Sequence, residues 1–508
     1  MGELNQKPPS FEAVALPAEL RHLEYSAPQQ EILETTADRI LFLAGVGSGK
    51  THVIGSISFD YVRNNPEVRG FIGANTYGQL TKATLLGVFN VWEKEFGLIK
   101  GVDYVVDRIP PENFKRFGAE LKSYENTISF ENGALIFTAS LENWQAIDGT
   151  EFGWACLDET KDTREEAIKQ CIIQRLRQKG MYINQLTGVI SKTMKPGYKG
   201  YNPMYIFTSP SKTQWLNEMF NLNEYAEEIV KCIFDKEDYF RKQNGRYLVV
   251  ISSTYHNEKN LPSGYIENMI EDLKGNEDLI DMLVFASPFG KTGDEFVTTY
   301  SRLKHVKKVE LLPDEAIHIS FDFNAKPYIT AILSQIKFNN ETKRFNLRIF
   351  KEFCLANPKN DSESLCDEII TYYHGEMQKN GMFYYGDYSG HNETTVSKDL
   401  KTNYQAIERK LHRYISSSSR RIVTNKGLEK RRRFLNKLFA GGIPVDVEID
   451  ISCKELIADL EFCRQGPDGG KLKVNVNKEG KSYQDRGHAL DAFEYKITSA
   501  FKNFFDIN

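Results

Sequence analysis

The stretch AGVGSGKT (44–51) leaves the chain little freedom. It follows an apolar run, RILFL (39–43), and precedes a helix-compatible run, THVIGSISFDYV (51–62), so a strand must pass through a glycine-rich loop into a helix. Gly45, Gly47, Ser48 and Gly49 let the backbone curl until its N–H groups face phosphate oxygens at a helix N-terminus. Lys50 would then neutralise β- and γ-phosphate charge, and Thr51 would hold Mg²⁺. Ala44 stands where the full pattern has its first glycine. A glycine turn with an incidental lysine is the competing reading, and the flanking strand and helix weigh against it.

The surroundings agree with that unit. Apolar β-type runs at 39–45, 70–75, 154–159, 204–210 and 247–253 alternate with helix-length segments, which predicts a mainly parallel sheet with crossovers and an α/β fold. TISFENGALIFTAS (127–140) predicts an antiparallel hairpin turning at Asn132-Gly133. WACLDET (154–160) ends its strand in two acids: Asp158 is placed to reach the Mg²⁺ shell from a strand lying beside the loop, and Glu159 to orient and deprotonate a water. The rival reading is a strand-end acid capping the next helix. YIFTSP puts Thr208 and Ser209 past another strand end, where ligands of open α/β sheets sit, and SAPQQEIL offers Gln29 or Gln30 for adenine.

A second α/β region begins near residue 311. Three β-type runs (316–323, 328–336 and 344–353) are followed by an amphipathic helix at about 361–378 and an apolar strand at 381–387. Along IHISFDFN the period of two puts Ile317, Ile319, Phe321 and Phe323 on one face, and His318, Ser320, Asp322 and Asn324 on the other. An ionised Asp in such a strand needs a compensating partner or metal. Asp387 ends GMFYYGD in the same manner. In QDRGHALDAFEYKI (484–497), Leu490, Phe493 and Ile497 mark the buried face of a helix, and His488, Asp491 and Tyr495 an adjacent one. Asp322, Asp387 and Asp491 are thus candidate catalytic and metal-ligating residues, with Asp485 a rival to Asp491. Three such carboxylates would hold paired Mg²⁺ or Mn²⁺ ions for phosphodiester cleavage, oxygen ligands favouring hard cations over zinc.

Length, 508 residues, implies more than one core. The divisions predicted are a nucleotide-binding ATPase domain with its lead-in over 1–255, a connector over 256–310 and a second domain over 311–508. The seven cysteines form no C-x-x-C pair, which argues against a disulfide framework or a zinc ribbon. With no bilayer-length apolar run and no basic-then-apolar leader, a cytoplasmic location and no membrane partner are expected. Net charge is −4, yet residues 401–440 carry twelve Lys/Arg against two Glu. Within that basic segment Arg420, Arg421, Lys430, Arg431, Arg432 and Arg433 are candidates to meet DNA phosphates, the competing reading being a solvated helix face.

From APQQEIL through AGVGSGKT, SFENGALIF, GTEFGWACLDET and YIFTSP, the chain resembles the ATPase half of bacteriophage terminase large subunits. The order of the second region, with VEIDISCKELIADLEFCRQGPDGGKL and HALDAFEY, is similar to the ribonuclease-H-like nuclease half of that family. The likeness is strongest at 25–55, 128–160, 316–335 and 440–497. It implies a P-loop NTPase domain followed by a ribonuclease-H-like nuclease. The expected activity is ATP-driven translocation of double-stranded DNA into a procapsid, with cutting of concatemers. Expected partners are a portal protein, a small terminase subunit and sister subunits in a ring, commonly pentameric. These loops often carry an Arg where Val46 stands, and Asp148 stands where a basic residue is common, which leaves Arg175 and Arg177 as candidates for the stimulating arginine. A repair or restriction helicase-nuclease and a non-catalytic docking protein are the competing functions.

Overall fold

The computed structural model describes residues 24–116, 121–147, 149–178, 181–184, 189–192, 201–210, 213–291, 293–392, 402–416, 427–472, 475–478, 481–484 and 486–507. Residues 1–23 of the lead-in (1–24), Asp148, Arg420, Arg421 and Asp485 lie outside the described residues. The chain divides into two units, Met1–Gly290 and Lys291–Asn508.

In the first unit the strands are β1 (Arg39–Ala44), β2 (Arg69–Ala74), β3 (Tyr104–Val106), β4 (Thr127–Phe130), β5 (Leu135–Ser140), β6 (Trp154–Asp158), β7 (Met181–Asn184), β8 (Val189–Lys192), β9 (Met204–Thr208), β10 (Phe240–Asn244) and β11 (Tyr247–Ser252). Nine of them form one sheet in the order β10-β11-β1-β9-β6-β2-β5-β4-β3, and β7 pairs with β8 in a separate hairpin. From β11 to β5 every pairing is parallel, and the antiparallel strands lie at the edges.

Central strands of this kind are buried on both faces, which is why RILFLA and WACLD read as continuous apolar runs. Alternate residues enter two cores: Ile40, Phe42 and Phe207 go to one, and Leu41, Leu43, Leu157 and Ile206 to the other. The predicted hairpin at Asn132-Gly133 is present, with β4 antiparallel to β5. In this order β9 runs between β1 and β6.

The second unit contains β12 (Val306–Lys307), β13 (Ile317–Asp322), β14 (Tyr328–Asn339), β15 (Arg344–Ala356), β16 (Met382–Gly386), β17 (Val445–Asp450), β18 (Asn475–Lys478) and β19 (Lys481–Gln484). Its main sheet has the order β12-β17-β15-β14-β13-β16, and β18 and β19 form a small hairpin. The meander β13-β14-β15 is antiparallel, and β16 adds parallel to β13, which is the ribonuclease-H-like arrangement expected. β17 joins the far edge, parallel to β15.

One core gathers Ile317, Ile319 and Phe321 with Leu365 and Ile369 of the helix Ser362–Asn380. A second gathers Leu347 and Ile349 with Leu490, Phe493 and Ile497 of the helix His488–Ala500. Full burial of each of those three side chains stabilises the unit by about 1.5–3 kcal/mol. The polar stripe of β13 is therefore not solvated: it faces the helix His488–Ala500, where Ser320 Oγ donates to the Ala492 carbonyl. Asp459 fixes the start of that helix by accepting from the N–H groups of Gly487 (2.9 Å) and Leu490 (3.1 Å), donors that lack partners within the helix.

The boundary at residue 290 falls inside the stretch read from sequence as a connector. Residues 254–284 belong to the first unit because they bond the phosphate-loop region directly: Val46 N–H donates to Leu283 O, and Thr254 Oγ1 donates to Val46 O.

Candidate functional site

The loop after β1 is shaped by its glycines. Gly49, at φ +79°, occupies the left-handed region and caps the helix Lys50–Asn64, and Gly47 is at φ +78°. Gly45 has a different reason: a Cβ there would lie 2.4 Å from Thr254 Oγ1 and 2.7 Å from the Val284 carbonyl. Asn257 Nδ2 donates to Gly47 O (2.6 Å) and Thr254 Oγ1 to Val46 O (2.8 Å), so the segment after β11 grips the loop from outside. Nothing in the sequence pattern pointed to that segment, since its residues carry no motif of their own.

Of the two candidate glutamines, the loop partner is Gln29. Its side chain is buried and donates from Nε2 to Ser48 O at 2.9 Å. Gln30 is exposed and bonds Glu34 one turn along its own helix, which corrects the expectation placed on it. The helical periodicity decides this, because Gln29 shares the buried side with Ile32 and Leu33.

Lys50 is buried and donates to the carbonyls of Ala44 and Gly45 (3.1 Å each) and to Ser209 Oγ (3.2 Å). Glu159 Oε1 stands 3.7 Å from its Nζ. Burial pulls the ammonium below its ordinary value, and Glu159 and Asp158 offset part of that. Glu159 itself sits at φ +46°, an unusual backbone for a residue with a side chain and a form of strain that clusters at functional sites. Its carboxylate accepts from Ser209 Oγ at 3.0 Å. Ser209 thus bridges Lys50 and Glu159 from the end of β9, whereas Thr208, the other hydroxyl that YIFTSP offers, is wholly buried and donates to the Ser209 carbonyl. Period-two alternation along the strand turns the two hydroxyls to opposite sides.

Asp158 is buried and accepts from Thr84 Oγ1 at 2.7 Å. Burial raises it to about 6, against the lowering effect of Thr84. Thr51 follows Lys50 in the same helix and is half-buried. Ser48 Oγ is buried with no hydrogen-bond partner, an orphaned oxygen beside the loop that suits a bound polar ligand. Arg175 donates to the carbonyls of Ile147 and Cys171, and Arg177 pairs with Glu151 at 3.2 Å, so both are engaged within the chain.

In the second unit, Phe321 of β13 lies in register with Gly386 of β16, which brings Asp322 and Asp387 to the ends of adjacent parallel strands. Asp322 is 3% exposed and accepts two bonds from Asn324 Nδ2, at 3.2 and 3.0 Å. Its Oδ2 is 3.2 Å from His488 Nδ1, while His488 Nε2 is 3.0 Å from Gln484 O. Burial raises Asp322, with His488 opposing. Burial lowers His488 most, but the hydrogen bonds to Asp322 and the Gln484 carbonyl and the charges of Asp322 and Asp459 together outweigh it, and the imidazole is held above its ordinary value. Asp387 Oδ1 is buried without a hydrogen-bond partner. Paired strand-end carboxylates, one with an orphaned oxygen, form an oxygen donor set of the kind hard divalent cations take.

Asp491 is on the first turn of the helix His488–Ala500, as expected, and in the same neighbourhood: burial, then Asp491, Asp322 and Asp387 in turn, push the Tyr495 phenol upward. Its carboxylate, however, is taken by Lys471 Nζ at 2.6 Å, a residue that belongs to no motif in the sequence. Lys471 also stands 2.9 Å from Glu494 Oε1, and Arg431 3.3 Å from Glu494 Oε2. Among the described residues no three His, Cys, Asp or Glu side chains form a group that could hold a metal ion. Of the three expected carboxylates, Asp322 and Asp387 stand at adjacent strand ends and Asp491 is paired with Lys471.

The basic helix Leu428–Phe439 is largely structural. Arg431 is buried against Glu494, Arg432 Nε donates to Phe296 O (3.0 Å), and Lys430 lies 4.9 Å from the Phe505 ring centroid. Arg433 is exposed beside Glu429. Among the described residues no helix is long and apolar enough to cross a membrane.

Residues 41–297 match the family model described as terminase large subunit, T4-like virus type, N-terminal. Among solved structures, the large terminase of a thermophilic bacteriophage is similar at 14% identity, over 94% of this chain and 99% of that one, with a TM-score of 0.35. The large terminase of bacteriophage HK97 is similar at 10% identity, over 91% of each chain, with a TM-score of 0.35. The nuclease domain of the P22 large terminase matches at 11% identity over 41% of this chain and 92% of that one, with a TM-score of 0.28. No curated protein sequence matches.

Proposed function

The chain belongs to the T4-like terminase large subunit family, and from that premise we propose that it is a viral DNA-packaging motor subunit. In this reading ATP hydrolysis in the first unit drives double-stranded DNA into a procapsid, and the second unit cuts concatemeric DNA. The observation that carries the first half is the buried Lys50, held by neutral oxygens and set against Glu159 across the end of β9.

Lys50 meets the β- and γ-phosphates of ATP, with the loop N–H groups wrapping the same oxygens. Glu159, oriented by Ser209, accepts the proton of the attacking water. Mg²⁺ would be held by Thr51 and Asp158 and, when bound, screens phosphate charge. Arg175 and Arg177 are engaged within their own chain, which supports a neighbouring subunit of a ring, pentameric by family likeness, as the donor of the stimulating arginine.

At the second site Asp322, Asp387 and Asp491 would hold Mg²⁺ or Mn²⁺ ions, which when bound activate water for attack on a phosphodiester. Asn324 and His488 orient Asp322 toward that role. The work is done in the host cytoplasm, with the subunit docked on the portal of a procapsid and assisted by a small terminase subunit.

ATP turnover and plasmid cleavage test the two halves separately. Lys50→Ala is expected to abolish turnover and spare cleavage. Asp387→Ala, or a chelator, is expected to abolish cleavage, and retained cutting in either case sinks the nuclease half. Stimulation of turnover by a portal protein separates a packaging motor from a helicase-nuclease.

A further inference from the structure

Hydroxyls inside a helix commonly turn back on their own backbone, as Ser56 Oγ does to His52 O (3.0 Å), Ser58 Oγ to Ile54 O (2.7 Å) and Thr81 Oγ1 to Tyr77 O (2.9 Å). Thr84 does not. It is 1% exposed, and its Oγ1 donates across 74 positions of sequence to Asp158 Oδ2 at 2.7 Å. The backbone explains how it arrives there. Ala74, the last residue of β2, lies in register with Asp158 of β6, so the chain leaving β2 starts beside the acid. It then makes a π-helical turn, Leu80–Thr84, ahead of the helix Leu85–Lys94. Such turns are wider than α turns and are frequent at functional sites.

The same helix is seated on the one that follows the phosphate loop. A Cβ at Gly87 would lie 2.5 Å from Thr51 Cγ2, and one at Gly55 would lie 2.7 Å from Val91 Cβ, so the two helices meet where one of them has no side chain. Trp92 Nε1 pins their register by donating to the Gly55 carbonyl at 3.0 Å. One continuous segment, residues 80–92, therefore bears on both Asp158 and Thr51.

We propose that Thr84 and Gly87 are positioning residues for the Mg²⁺ of the nucleotide site: the Thr84 hydroxyl fixes the orientation of the Asp158 carboxylate, and the bare Cα of Gly87 sets where Thr51 stands. This rests on the ATPase reading above. Neither residue acts on nucleotide or ion directly; each acts through the side chain it holds, and partners that orient a ligand in this way govern affinity for the ion.

The test is calorimetric titration of the full chain with ADP, once with Mg²⁺ and once with EDTA, so that the factor by which Mg²⁺ tightens binding is read apart from turnover. Asp158→Asn is expected to lose that factor. Thr84→Val keeps the shape and removes the hydroxyl: its ADP affinity in EDTA is expected to match wild type, while the Mg²⁺ factor falls by about tenfold. Thr84→Ser is expected to restore the factor, and Gly87→Ala, which crowds Thr51, to repeat the loss. The Mg²⁺ concentration for half-maximal ATP turnover is expected to rise correspondingly in Thr84→Val and Gly87→Ala. An unchanged Mg²⁺ factor in a folded Thr84→Val, or equal weakening with Mg²⁺ and with EDTA, overturns the proposal and leaves the ATPase reading intact. Retention of the factor in Asp158→Asn overturns the Mg²⁺ assignment of that reading and this proposal together. If the thermal transition shows that Thr84→Val does not fold, Gly87→Ala decides by the same two criteria.

Discussion

Lys50 and Lys471 are equally buried, at 9% exposure, and stand at the two polar sites of the chain, yet they are opposites. Lys50 is surrounded by neutral oxygens, with its paired acid 3.7 Å away. Burial leaves its charge under-compensated, and it sits below the ordinary lysine range. Lys471 touches two carboxylates, whose attraction outweighs burial and holds it above that range. Burial is common to both, so it cannot be what sets their roles. The partner set does: the first ammonium is left able to attract a phosphate, and the second is already satisfied by acids of its own chain.

Changing each lysine to methionine is the most direct way to break this contrast. Lys471→Met strands the buried Glu494 and the half-buried Asp491 with one arginine, and its unfolding free energy by urea denaturation is expected to fall by about 3–5 kcal/mol. Lys50→Met removes a charge whose desolvation was only partly offset, so stability is expected to change by no more than about 1 kcal/mol. ATP turnover in that variant is expected to fall at least about a hundredfold, as when a charge-stabilising donor is removed from an active site. Similar destabilisation in both variants would dissolve the distinction.

Glu352 sharpens it from the acid side. Among the described residues this carboxylate pairs with no lysine; it accepts the backbone N–H groups of Glu455 (2.7 Å) and Leu456 (2.9 Å) at the start of the helix Lys454–Phe462. Burial raises it from the usual glutamate value to about 7, with those two N–H bonds opposing. The folded chain therefore binds this proton more tightly than the unfolded chain does. The resulting stabilisation is full below the ordinary pKa of about 4.5 and is lost as pH rises through about 7. Unfolding free energy measured across that window is expected to decline by about 2 kcal/mol from this group, discounted for partial solvent screening. Glu352→Gln is expected to flatten that part of the profile, and an unchanged slope would show that another group is responsible.

The sequence carried these two sites unequally, for a physical reason. A phosphate loop must be contiguous, because successive N–H groups from one turn do the binding, so AGVGSGKT announced both the strand-loop-helix unit and Lys50. Strand-end acids announce themselves too, since Asp322 closes the polar stripe of a strand whose other face is apolar and Asp387 follows an apolar run. What sequence left dark was whatever reaches a site from elsewhere in the chain. Thr84 reaches Asp158, Asn257 reaches Gly47, and Lys471 reaches Asp491 across twenty positions. None of these interrupts a local pattern, so their roles exist only once the backbone has brought them in. The insertion of β9 between β1 and β6 was dark for the same reason, since strand order is a property of the sheet and not of any strand.

The smallest expected effect belongs to a pair of adjacent residues that composition cannot tell apart. Gln29 Nε2 donates to the Ser48 carbonyl, and its Oε1 accepts from Ser26 N–H, both at 2.9 Å, so one side chain ties the helix Ala27–Glu34 to the loop that carries Lys50. Gln29→Ala would leave that carbonyl short of its donor, and a loss of about 1–2 kcal/mol in unfolding free energy is expected. With the loop less firmly held, ADP affinity by calorimetric titration is expected to weaken several-fold. Gln30→Ala removes only an exposed bond to Glu34, and stability is expected to stay within about 0.5 kcal/mol of wild type with ADP affinity unchanged. If Gln30→Ala were the variant that lost nucleotide, the loop would be read by a side chain that the structure turns to solvent, and the poised setting ascribed to Lys50 would need another support.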